Sequence, residues 1–76
     1  MTLTYALPRE GHVRLTVNDI AGRKVATLID ATSGAGEHRI VWALRGDDGR
    51  NLPSGQYFVR LDGTLGASTT RITVVE

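Results

Sequence analysis

Apolar and polar residues alternate with a period of two through most of this chain, the pattern of strands that bury one face. In T-L-T-Y-A-L, Leu3, Tyr5 and Leu7 share one face and Thr2, Thr4 and Ala6 the other, and Pro8, which lacks a ladder donor, ends the strand. In H-V-R-L-T-V-N, Val13, Leu15 and Val17 alternate with His12, Arg14 and Thr16. In G-E-H-R-I-V-W, His38, Ile40 and Trp42 alternate with Glu37, Arg39 and Val41. In Q-Y-F-V-R-L, Tyr57, Val59 and Leu61 alternate with Phe58 and Arg60, and in T-R-I-T-V-V, Ile72 and Val74 alternate with Arg71 and Thr73. K-V-A-T-L-I-D fits less cleanly, because Val25, Leu28 and Ile29 do not keep one parity. Their spacing would also suit a helix. The segment is short, is bounded by Gly22 and by Asp30 to Gly36, and carries β-branched residues, so it is predicted as a strand with a bulge.

Turn residues separate these runs. R-E-G joins the first two, and D-I-A-G-R places Gly22 where a positive φ is easily accepted. A-T-S-G-A-G, Ala31 to Gly36, is predicted as a small-residue loop, Arg45 to Gly55 as the longest connection, and D-G-T-L-G as a hairpin loop. Six short strands at this spacing predict an all-β sandwich or small barrel, in a single domain over residues 1–76. Trp42, the only tryptophan, ends an inward face and is predicted as the core anchor, since one indole buries more area than any neighbour.

Composition narrows the function classes. A chain of 76 residues has a small core, and with no cysteine there is no disulfide to support it and no thiolate zinc site. Nine Lys and Arg against eight Asp and Glu leave a net charge of +1, with the basic residues spread along the chain, so nucleic acid is not an expected partner. No apolar run approaches the roughly 18 residues of a membrane-spanning helix, so membrane insertion is not expected either, and M-T-L-T-Y does not read as a signal peptide.

The motifs of catalysis and metal binding fail in turn. No G-x-S-x-G elbow surrounds a serine, and His12 and His38 are predicted as structural residues. Asp47, Asp48 and Gly49 resemble part of a calcium loop, but the alternating oxygen ligands and distal Glu do not follow. They are predicted as a turn in which Asp accepts backbone hydrogen bonds and Gly49 is left-handed. The acids are dispersed among turns, and G-A-G-E-H lacks the Lys and Ser/Thr of a phosphate loop. No catalytic residue, metal ligand or cofactor is expected, and the chain is read as non-enzymatic.

What remains is surface. Phe58 and Val41 face away from their strands' core residues, but in an immunoglobulin-like arrangement their strands lie in different sheets and the two are not expected to touch. Phe58, Arg60 and Arg71 are the candidate partner-facing residues, and unpaired outer strands could accept an added strand.

The segments T-L-T-Y-A-L-P, G-H-V-R-L-T-V-N-D-I-A-G-R-K-V-A-T-L, G-E-H-R-I-V-W and G-D-D-G-R-N-L-P-S-G-Q-Y-F-V-R-L together resemble the C-terminal domains of proteins exported by the type IX secretion system. They resemble equally the related immunoglobulin-like domain of the flagellar hook-capping protein. The most specific parts are D-I-A-G-R-K-V and L-P-S-G-Q-Y-F. The resemblance implies an immunoglobulin-like antiparallel β-sandwich of six to seven strands. It marks Asp19, Gly22, Arg23, Trp42, Gly49, Gly55 and Tyr57 as motif positions, structural or recognition. Gly55 would let its strand begin in a cramped turn, and Tyr57 would pack inward with its hydroxyl near the rim. Function divides along the two families. The first implies a sorting or anchoring module of a larger bacterial surface or secreted protein, recognised by the outer-membrane export machinery. The second implies a structural or adhesive module with a protein partner. Three departures from the sorting pattern stand out: no P-N-P-F-like segment precedes the first strand, the chain ends V-V-E with Arg71 the last strand's only base, and no cargo accompanies the domain. Six strands against seven would fit either a missing N-terminal strand or a short strand within the long loop.

Overall fold

A computed structural model describes residues 1–64 and 66–75 of the chain. Leu65, within the predicted hairpin loop, and Glu76, the last residue of V-V-E, lie outside the described residues. The alternating segments form six strands: β1 (Thr2–Leu7), β2 (Gly11–Asp19), β3 (Lys24–Ser33), β4 (Gly36–Val41), β5 (Gly55–Gly63) and β6 (Gly66–Val74). They make two antiparallel sheets, β1-β4 and β3-β2-β5-β6. The connections Pro8–Glu10, Gly34–Ala35 and Trp42–Ser54 each carry the chain from one sheet to the other. The fold is the expected all-β sandwich, and β4 and β5 do lie in different sheets.

The inward faces are the predicted ones. Leu15, Val17, Ala26, Trp42, Leu52, Tyr57, Val59 and Val74 form the buried cluster, with Leu3, Ile40, Leu44, Leu61 and Ile72 packed against it. Trp42 is buried, and its Nε1–H donates to the Arg45 carbonyl at 3.1 Å, so the indole's one polar atom is satisfied at the core's edge. Tyr57 packs inward as expected, and its hydroxyl donates to the Pro53 carbonyl at 2.7 Å, a bond four residues back that fixes the entry into β5.

The predicted irregularity in β3 is real. Its ladder with β2 shifts register twice, passing Leu28 between the pairs Leu15–Ile29 and Thr16–Thr27, and Val25 between Val17–Ala26 and Asn18–Lys24. Each extra residue rotates the strand, which is why its apolar side chains keep no single parity.

Three expectations need correction. Ala31 to Ser33 belong to β3, where they pair with Val13, His12 and Gly11, so the loop before β4 shrinks to Gly34 and Ala35. β6 begins at Gly66, well before the predicted T-R-I-T-V-V, and pairs with β5 from Gly63–Gly66 to Gly55–Val74. Gly55 is not crowded: a Cβ there would meet nothing within 4 Å, and only its φ of 155° sets it apart. The long loop contributes no seventh strand among the described residues, only the isolated bridge Arg45–Asn51.

Candidate protein interface

The two sheets differ in width, and this decides which residues reach the surface. Two strands cannot cover four. A groove of about 150 Å³ is left between β1 and the β5-β6 pair, lined by Leu3, Tyr5, Leu61, Thr70 and Ile72 among others. Ser68 and Thr70 therefore sit on the inner side of β6 and are still exposed.

The outer face of the four-stranded sheet holds the candidate partner residues. Phe58 and Arg71 are cross-strand neighbours, and the Arg71 guanidinium lies 5.9 Å from the Phe58 ring centroid, a cation–π geometry. Arg60 pairs in register with Thr69 and places Nε 3.5 Å from Asp62 Oδ2. Such exposed ion pairs contribute little to stability, so the arrangement reads as a patterned surface and not as a structural clamp. Val41, 80% exposed, lies on the other sheet and is not part of this face.

One cluster on the same face was not expected from the chain. Asp30 Oδ1 lies 2.7 Å from His12 Nε2, and Oδ2 lies 3.4 Å from Arg14 Nη2. Register makes the cluster, since Asp30 stands directly opposite Arg14 in the β2-β3 ladder. The His12 hydrogen bond, and then the positive charge of Arg14, hold the Asp30 carboxyl below its ordinary range. His38 is occupied elsewhere. It stacks on Tyr5 with centroids 4.9 Å apart, and its Nε2 lies 2.7 Å from the Gly34 carbonyl, so Nε2 carries the donated proton.

D-I-A-G-R is a self-contained turn. Asp19 Oδ1 accepts from the Ala21 N–H at 3.0 Å and the Arg23 N–H at 2.9 Å, and Oδ2 accepts from Arg23 Nε at 3.1 Å. The Gly22 N–H donates to the Asp19 carbonyl at 3.0 Å, and Gly22 has φ 85°, the left-handed residue that closes this hairpin loop. Asp19, Gly22 and Arg23 thus form one hydrogen-bonded unit with Ile20 exposed at its tip. The Arg23 backbone N–H chiefly, with its guanidinium, holds the Asp19 carboxyl below the usual range. A carboxyl depressed by folding contributes stability above its unfolded pKa, and that contribution is lost as the pH falls through the folded value. Asp19→Asn is therefore expected to flatten the fall of the urea midpoint below about pH 4, where aspartate begins to protonate. Parallel acid slopes for the two proteins would show that this carboxylate does not matter to folding.

The D-D-G loop is a turn with a second duty. Asp48 Oδ1 accepts from the Arg50 N–H at 2.9 Å, and Gly49 is left-handed with φ 82°, as expected. Asp47, however, reaches across to β3. Its N–H donates to the Val25 carbonyl at 3.0 Å, and its Oδ1 accepts from the Thr27 N–H at 3.1 Å. The loop thereby occupies backbone groups on the outer edge of β3 where the bulges lie. Each carboxylate of D-D-G gives one oxygen to a backbone donor, and no group of three or more His, Cys, Asp or Glu is placed to hold a metal among the described residues.

These features define an immunoglobulin-like β-sandwich module whose polar groups serve turns, edges and one patterned face. A family model, the FlgD Ig-like domain, matches residues 1–67, and the chain belongs to that family. No curated protein and no solved structure matches it. The match falls on the hook-capping side of the double resemblance, and nothing in the comparison or the fold supports the type IX sorting domain.

Proposed function

We propose that this chain is a non-enzymatic structural module of a flagellar hook-capping type protein, and that it works through protein–protein contact. The family match over residues 1–67 carries this reading. The surface agrees with it. Asp19, Asp47, Asp48 and His38 all bond main-chain atoms, and the four-stranded face, with Phe58, Arg60 and Arg71, is the contact surface this reading assigns. In that role the module acts outside the cytoplasm, as one part of a larger protein.

The test is a graft. This chain replaces the immunoglobulin-like domain of a flagellar hook-capping protein in a host lacking its own copy. Hook assembly and swimming are expected to persist, and to fall when Arg60→Glu and Arg71→Glu are introduced together. A chimera that is exported and folded but builds no hooks would refute the reading.

A further inference from the structure

The four-stranded sheet treats its two edges differently. On β3, two register shifts and the Asp47 loop disrupt the free edge. On β6 nothing comparable appears among the described residues. The strand runs Gly66–Val74 beside β5 without a register shift, and among the described residues nothing pairs with its other side. It has no proline and a single charge, Arg71. A long regular edge of Thr, Ile and Val with one charge is a template for strand addition.

We infer that β6 pairs with β6 of a second copy of this chain, antiparallel and two-fold about Thr69, and so joins two sheets into one eight-stranded sheet. The inference narrows the protein-contact reading above by naming one partner. Charge and side-chain complementarity choose both the occupant and the register. In a continued sheet, residues directly opposite each other share a face. The outer face of β6 carries Ala67, Thr69, Arg71 and Thr73, and the inner face Ser68, Thr70 and Ile72. With Thr69 opposite Thr69 of the second copy, Arg71 stands opposite Ala67 of that copy. Asp62 is the neighbour of Ala67 on β5. Two strand spacings, about 10 Å, then separate Arg71 from the facing Asp62, and only the small Ala67 side chain lies between. Arg71 has no ion pair of its own among the described residues, and Asp62 is half exposed beside Arg60. The two-fold axis makes this pair twice. On the inner side the same register sets Ser68 against Thr70, a hydroxyl pair favourable across strands, again twice. It also uses the exposure that the narrow β1-β4 sheet leaves to both residues. Moving the axis by two residues, to Arg71, would set the two Arg71 side chains directly opposite each other, a repulsive arrangement.

The chain has no cysteine, so one introduced thiol reports on one position. Residues on the axis would have Cα atoms about 4.5–5.5 Å apart, within the span of a disulfide. Thr69→Cys is expected to form a covalent dimer under mild oxidation at least ten times faster than Thr32→Cys, an outer-face control on β3. Adding Arg71→Asp should slow the Thr69→Cys reaction about tenfold, and adding Asp62→Arg as well should restore it. Circular dichroism checks that each variant keeps its sheet. Equal rates for the two cysteines, or indifference to the charge swap, would overturn the proposal. The graft experiment reads hook assembly and not self-pairing. A monomeric Thr69→Cys protein whose graft still builds hooks would therefore remove β6 pairing and leave the structural role intact.

Discussion

Trp42→Ala is expected to remove a large share of the protein's folding stability at 25 °C. Truncating a buried tryptophan costs about 3–5 kcal/mol. A chain of this length has a total stability of roughly 4–11 kcal/mol. Trp42 lies in the central cluster with Val17, Leu52 and Tyr57, and its loss also strands the Arg45 carbonyl that its Nε1–H satisfies. With a urea dependence of about 1 kcal/mol/M for a small domain, the midpoint should fall by about 3–5 M. Trp42→Phe keeps most of the volume and should fall between the two. Far-UV circular dichroism is the readout, because the fluorophore itself is removed. A Trp42→Ala protein with a midpoint within 1 M of the parent would mean that the indole is not the anchor described.

Gly63→Ala should be the most damaging single-methyl change among the glycines. A Cβ at this position would press into the His12 carbonyl, with the His12 carbonyl carbon at 3.2 Å and the Val13 Cα at 3.3 Å. These are backbone atoms of the neighbouring strand, so they can yield only if β2 and β5 separate. Overpacking of this kind costs about 1–3 kcal/mol. For a domain of this size that corresponds to a thermal midpoint roughly 4–24 °C lower. Gly34→Ala is the control, since a Cβ there meets nothing within 4 Å. Equal melting of the two variants would show that β2 gives way freely and that the close approach is not a constraint.

How far the chain could be read depended on what each strand faces. Where both sheets cover a strand, alternation was legible: Val13, Leu15 and Val17 on β2 and Tyr57 and Val59 on β5 are buried as their spacing implies. Where the narrow sheet falls short, the pattern disappears. Ser68 and Thr70 face inward without burial, so A-S-T-T carried no strand signal although it pairs fully with β5. Ala31 to Ser33 carry no strand signal for a related reason, since small residues at the end of an edge strand need no apolar face. The turn chemistry of Asp19, Gly22 and Gly49 was legible because its partners lie within four residues. The Asp47 bonds to β3 and the His12–Asp30–Arg14 cluster join residues 16 to 22 positions apart, and only the register brings them together. Gly63 looked like an ordinary turn glycine, and its close approach to β2 has no local signature.

The β1-β4 sheet has a kinetic meaning. Its ladder joins Thr2 to Val41, and the Met1 carbonyl accepts from the Trp42 N–H at 2.8 Å. The β2-β3 and β5-β6 ladders are hairpins that can zip from a turn, whereas the nearest pair of this ladder, Leu7–Gly36, closes a loop of almost thirty residues before any contact rewards it. The two hairpins thus have a head start, and the long-range closures, β2 onto β5 and β1 onto β4 over the indole, are the slow events that turn them into a closed molecule.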